Sequence, residues 1–130
     1  MTTKSMAYDH PAYVVPYVFS GLSTAGANGV TTKFAAFTAM KVKQVVQGPV
    51  IASTAAGSQP LLYTKSGTTT ATSTLTVLTS GASAAIVDDL ATEVSLAQGD
   101  QVWYTHGTDA TCAVAVAIEC VVVPGSTVAA

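Results

Sequence analysis

The chain has 130 residues, 49% of them hydrophobic and only 9% charged, with a formal net charge of −2. That length is one domain's worth, since domains of about 100 to 150 residues are the commonest size and bury a proper core. Five lysines and no arginine exclude the basic stripe with which nucleic-acid binders neutralise phosphates, so no direct nucleic-acid partner is expected.

Soluble domains are usually roughly a quarter charged, so much of this surface must be Thr, Ser, Gly, Gln and Ala. Such a coat suits a chain that buries much of its outside against copies of itself or a large partner. The mean hydropathy of +0.47 comes from small apolar residues spread along the chain. The longest apolar run near the C-terminal end, Cys112 to Pro124, carries Glu119 and is shorter than the about 20 residues of a membrane helix. No membrane partner is expected.

Residues 1–20 hold Tyr8, Tyr13, Tyr17 and Phe19, with Pro11 and Pro16 denying them a helix. They read as an extended N-terminal arm, followed by one β-sandwich domain over residues 21–130. Asp9, His10, Pro11 and Pro16 interrupt any apolar run there, so no secretory leader is expected. Such an arm either packs on its own domain as an edge strand or reaches a neighbouring subunit. Residues 20–33 (SGLSTAGANGVTTK) read as a loop. Alternation over 33–48 predicts a first strand, interrupted by Gly48 and Pro49 as a turn or an edge. Lys41 and Lys43 sit two apart on it and read as a solvated face.

VIAST, a turn at AAGSQ, and PLLYTKSG come next, then the Thr- and Val-rich TTTATSTLTVLTSG, which reads as a strand or strand pair. AAIVDDLATEV reads as a short helix or a turn, with Ile86 and Leu90 one helical turn apart. The last strands are VSLAQGDQVWYTHG and TDATCAVAVAIECVVV, joined as a hairpin at Gly107 to Asp109. Alternation puts either Trp103 or the Val102/Tyr104 pair in the core, and Trp103 is expected there. Many short strands and little helix indicate an all-β fold, an antiparallel sandwich of jelly-roll type.

Cys112 and Cys120 lie eight residues apart, about 26 Å along an unbroken strand, which is too far for a disulfide. Their even offset places both on the Val114, Val116 and Ile118 face as buried thiols. His106, Asp109 and Glu119 are the residue types of acid–base or metal chemistry. At a hairpin tip, however, His106 and Asp109 are expected in solvent, with Glu119 on the outer face of its strand. Asp88, Asp89 and Glu93 lack calcium-loop spacing, no G-x-S-x-G elbow is present, and GANG at 26–29 lacks the lysine of a phosphate loop. No catalytic residue, metal or cofactor is expected, and the chain is not expected to be an enzyme.

The all-β pattern, the Ala/Thr/Val-rich composition, the tyrosine-bearing arm and the closing VSLAQGDQVWY…TCAVAVAIECVVV together resemble the small decoration, or cement, proteins of tailed bacteriophage capsids. The resemblance implies a β-sandwich made in the host cytoplasm that assembles as a homotrimer or a dimer on the virion exterior. There it would clamp neighbouring major capsid subunits. Tyr8, Tyr13, Tyr17 and Phe19 are the candidate capsid or subunit contacts. The alternative is a head-fibre, tail-tip or receptor-binding β-domain.

Overall fold

A computed structural model of the protein describes residues 16–23, 29–51, 59–78, 84–107 and 112–122, without the side chains of 51 and 91–93. Eight strands form: β1 (Pro16–Ser23), β2 (Phe34–Ala35), β3 (Met40–Ile51), β4 (Leu61–Ser66), β5 (Thr69–Thr74), β6 (Ile86–Leu96), β7 (Gln101–Thr105) and β8 (Ala113–Val122). They make two antiparallel four-stranded sheets, ordered β1-β8-β3-β6 and β2-β7-β4-β5. No helix occurs among the described residues. This is the strand order of a jelly roll, the double-sheet sandwich expected from the sequence.

Alternation fills the space between the sheets. Val114, Val116, Ile118 and Cys120 of β8 face Val102 and Tyr104 of β7 and Leu62 of β4 across one core, joined by Met40, Val42 and Val45 of β3. Cys112 and Cys120 are both buried, as their spacing implied. Phe19 of β1 is 7% exposed and stacks on Phe34 of β2 at 5.1 Å, tying one sheet to the other. The glycine beside it belongs to the same contact, because a Cβ at Gly21 would come within 3.4 Å of Phe34 Cζ.

Four sequence expectations are corrected. β7 and β8 do not form a hairpin: they lie in different sheets, and the chain crosses the sandwich between them. Only β4 and β5 are consecutive neighbours among these strands, turning through Gly67, whose φ of 60° suits glycine. The segment read as helix or turn is strand β6, and the i, i+4 spacing of Ile86 and Leu90 fits the period of two as well as that of a helix. The expected first strand is two, with β2 in one sheet and β3 in the other. Finally, β3 runs through Gly48 and Pro49 to Ile51. The proline falls where β3 has become an edge on one side, because β6 pairs with it only as far as Gln47.

Residues 16–20 of the expected arm and 20–23 of the expected loop are the edge strand β1, paired along its length with β8 from Pro16↔Val121 to Ser23↔Val114. Tyr8 and Tyr13, the AAGSQ turn apart from its last residue, most of GANG, and Asp109 lie outside the described residues.

Candidate functional site

Among the described residues, His106, Ser23, Tyr104, Gln47 and Asp88 are engaged in hydrogen bonds that link the two sheets. His106 directly follows β7 and has no exposed surface, contrary to the solvated tip expected for it. Its Nδ1 is hydrogen-bonded to Ser23 Oγ of β1, across the sandwich. Ser23 in turn donates its hydroxyl proton to the Gly29 carbonyl at 2.8 Å. With that proton committed, Nδ1–H of His106 is the donor and the serine oxygen the acceptor. This is the reverse of a base-activated nucleophile, and Ser23 is fully buried as well.

A second cross-sheet link joins Tyr104 of β7 to β3 and β6. The Tyr104 hydroxyl donates to Gln47 Oε1 at 2.6 Å, and Gln47 Nε2 donates to Asp88 Oδ2 at 2.9 Å. Asp88 also accepts from the backbone N–H and the hydroxyl of Thr76. Gln47 and Tyr104 have no exposed surface, so these bonds satisfy groups that would be costly to bury alone. Burial raises the Tyr104 phenol far above its usual range, with Cys112 and Asp88 adding to the effect.

Sequence reasoning grouped His106 with Glu119, and the structure separates them. Glu119 points from mid-β8 to the outer face, where Gln44 Nε2 of β3 donates to it at 3.1 Å. Asp88 turns inward to Gln47 while Asp89 is exposed. No group of three or more His, Cys, Asp or Glu side chains capable of holding a metal occurs among the described residues. Trp103, expected in the core, is on the other face of β7. Val102 and Tyr104 take the core positions, while the indole stacks on Tyr63 at 5.3 Å with Lys33 Nζ 4.4 Å above its ring. Only 7% of Trp103 remains exposed.

Burial lifts the Cys120 thiol to about 11 from 9.0, with Glu119 adding to the rise. A thiol whose folded pKa exceeds its unfolded one contributes its full stability below about pH 9 and loses it as pH rises towards 11. The urea midpoint should therefore fall as pH is raised from 9 to 11, and Cys120→Ala should reduce that slope. A slope unchanged by the substitution would refute the assignment.

What the fold leaves open is a surface. On the outer face of the β1-β8-β3-β6 sheet, Ser20, Ala117, Val46 and Val87 form one cross-strand row, and Leu22, Ala115 and Gly48 form the next. Small residues on the central strands make this a shallow apolar groove, bounded by Leu22 of β1. Val18, Leu22 and Val87 are about half exposed. At the β1 edge, Tyr17 meets Phe37 edge-on at 5.0 Å, and both rings are exposed. Of the candidate contacts, Phe19 is core, and Tyr17, two residues before it on the same side of β1 and edge-on to its ring at 5.0 Å, sits at the exposed margin of the sandwich and not in the outer-face groove. The clue in the sequence was an apolar strand, PYVFSGLS, whose two faces both lack charge.

No protein-family model matches the chain, and no curated protein matches it. No helix among the described residues is long and apolar enough to cross a membrane.

Proposed function

We propose that the chain is a non-enzymatic structural protein that decorates an icosahedral phage capsid, assembling with copies of itself and binding across neighbouring major capsid subunits on the virion exterior. The observation that carries this reading is the apolar groove around Leu22, Val46 and Val87, exposed among the described residues on the outer face of the β1-β8-β3-β6 sheet, with the exposed Tyr17–Phe37 ring pair at the neighbouring margin of the sandwich. A lightly charged monomer rarely leaves such a face to water, and exposed apolar patches of this kind mark protein–protein contacts. The jelly-roll order agrees with the reading without deciding it, because one fold serves many functions. Many modest contacts repeated over a shell would supply the stability through multivalency.

The receptor-binding alternative needs aromatic faces open to a glycan. The Tyr63–Trp103 stack does not offer the indole, which Lys33 and Tyr63 cover. The reading of Tyr8 and Tyr13 as capsid contacts is part of the proposal.

The test is co-sedimentation with undecorated phage shells. The parent chain should bind, and Leu22→Asp with Val87→Asp should weaken binding at least about tenfold, the effect of losing 1.4 kcal/mol or more. The melting temperature should stay within a few degrees. A truncation testing the arm must stop at residue 15, because a cut at 19 removes Phe19 from the core. Failure of the parent chain to bind any shell, or full binding by the double variant, would sink the reading.

A further inference from the structure

Among the described residues the second sheet ends on β5, TTATST, which pairs with β4 on one side and with no described strand on the other. Its register with β4 is regular across all six residues, from Ser66↔Thr69 to Leu61↔Thr74. It carries no charge, proline or bulge, the devices that usually blunt an edge. Its residues are exposed apart from the half-buried Ser73. The other edges differ. β6 is acidic and irregular, with residues 90–93 opposite the single residue Lys43. β2 has two residues, and β1 carries Pro16 and Gly21.

The hydrogen-bond phase of β5 follows from its turn. The residues flanking a two-residue loop exchange both backbone bonds, so Ser66 and Thr69 are a bonded pair, as are Thr64 with Ala71 and Leu62 with Ser73. The bond from Leu75 N to the Pro60 carbonyl at 3.1 Å continues the same alternation one step further. The N–H and C=O groups of Thr70, Thr72 and Thr74 therefore point away from β4, along the open edge.

We infer that β5 pairs with β5 of a second copy of this chain, antiparallel about a two-fold axis at Thr72. In that register Thr72 faces Thr72 of the partner and Thr70 faces Thr74. All three outward residues on each strand are satisfied at once, giving six backbone hydrogen bonds and one continuous eight-stranded sheet. The outward set is centred on Thr72, so the edge is its own complement, as a two-fold interface requires. Threonine pairs across strands are favourable, and no like charges meet. The assembly unit is then a dimer in place of a trimer. The inference stands on the hydrogen-bond phase and not on the capsid reading, and its test uses the chain alone.

Three cysteine variants read the register. Bonded antiparallel residues have Cα atoms about 5.5 Å apart, within disulfide range. Thr72→Cys should therefore cross-link to a covalent dimer on mild oxidation. Thr70→Cys alone should not, since its counterpart lies four residues along, about 14 Å away, but mixed with Thr74→Cys it should give the cross-linked heterodimer. Cys112 and Cys120 are buried and serve as the parent background. Native mass spectrometry of the parent should show twice the 13.1 kDa chain mass, rising with concentration. Thr72→Pro, which removes only an outward N–H, should return it to monomer, and the cross-linking stands independently should that variant fail to fold. A parent that stays monomeric throughout, an oligomer that survives Thr72→Pro, or Thr70→Cys cross-linking as readily as Thr72→Cys would each overturn the pairing. Loss of shell binding with the dimer intact would instead count against the capsid reading alone.

Discussion

Replacing Gln47 by leucine should lower the unfolding free energy by about 3 kcal/mol, although leucine is nearly the same size and the site is buried. The side-chain amide is the joint between the sheets: it accepts from Tyr104 and donates to Asp88, and its Nε2 also lies 3.3 Å from the Thr76 carbonyl. Leucine would leave a phenolic donor without that acceptor, where no water reaches, and an unsatisfied buried group costs about 1–3 kcal/mol. The carboxylate of Asp88 would lose a charge-assisted bond of similar worth, keeping its two bonds from Thr76. The check is a double-mutant cycle by urea denaturation. Adding Tyr104→Phe to Gln47→Leu should recover about 1 kcal/mol, because removing both partners leaves no stranded hydroxyl. A Gln47→Leu chain as stable as the parent would show that the link contributes little.

Phe19→Ala should cost about 3–4 kcal/mol, in the range of large aromatic truncations in cores. The ring is buried against Phe34 and edge-on to Tyr17, so the truncation opens a cavity where β1 meets β2. The neighbouring Val18→Asn, which brings no charge opposite its cross-strand partner Glu119, should shift stability by only about 0.5 kcal/mol, since Val18 is half exposed on the outer face, yet it should weaken shell binding. Denaturation and co-sedimentation of the same two variants therefore separate a folding residue from a docking residue one position apart. If Phe19→Ala folded normally and lost only docking, its place in the core would be refuted and the sandwich would have to begin later than Phe19.

PYVFSGLS was legible as extended and aromatic, because Pro16 forbids helix locally. That it pairs with β8, about a hundred residues away, was not legible, since pairing partners leave no mark on a lone strand. Glu119 on an outer face was readable from alternation with its neighbours. The acidic segment at 86–96 was not, because a pair of apolar residues four apart satisfies both periods, and what decides is Asp88 finding Gln47 and Thr76 on the inner side.

By itself the sequence determined the all-β class, the single-core size, the two buried thiols and the inward set on β8, all consequences of side chains alternating across a pleated strand. Tertiary structure decided which strands are neighbours. The GDQVWYTHG and TCAVAVAIEC segments look like the arms of a hairpin at the level of turn residues, and only the pairing of β8 with β1 and β3 sends them to opposite sheets. That crossing carries His106 from the solvent expected at a turn to a buried place beside Ser23. It also leaves Val102 and Tyr104 inside, with Trp103 outside under Tyr63 and Lys33. The physical reason is one of range: alternation and turn propensity act within a few residues, whereas burial is set by strands that meet from opposite ends of the chain.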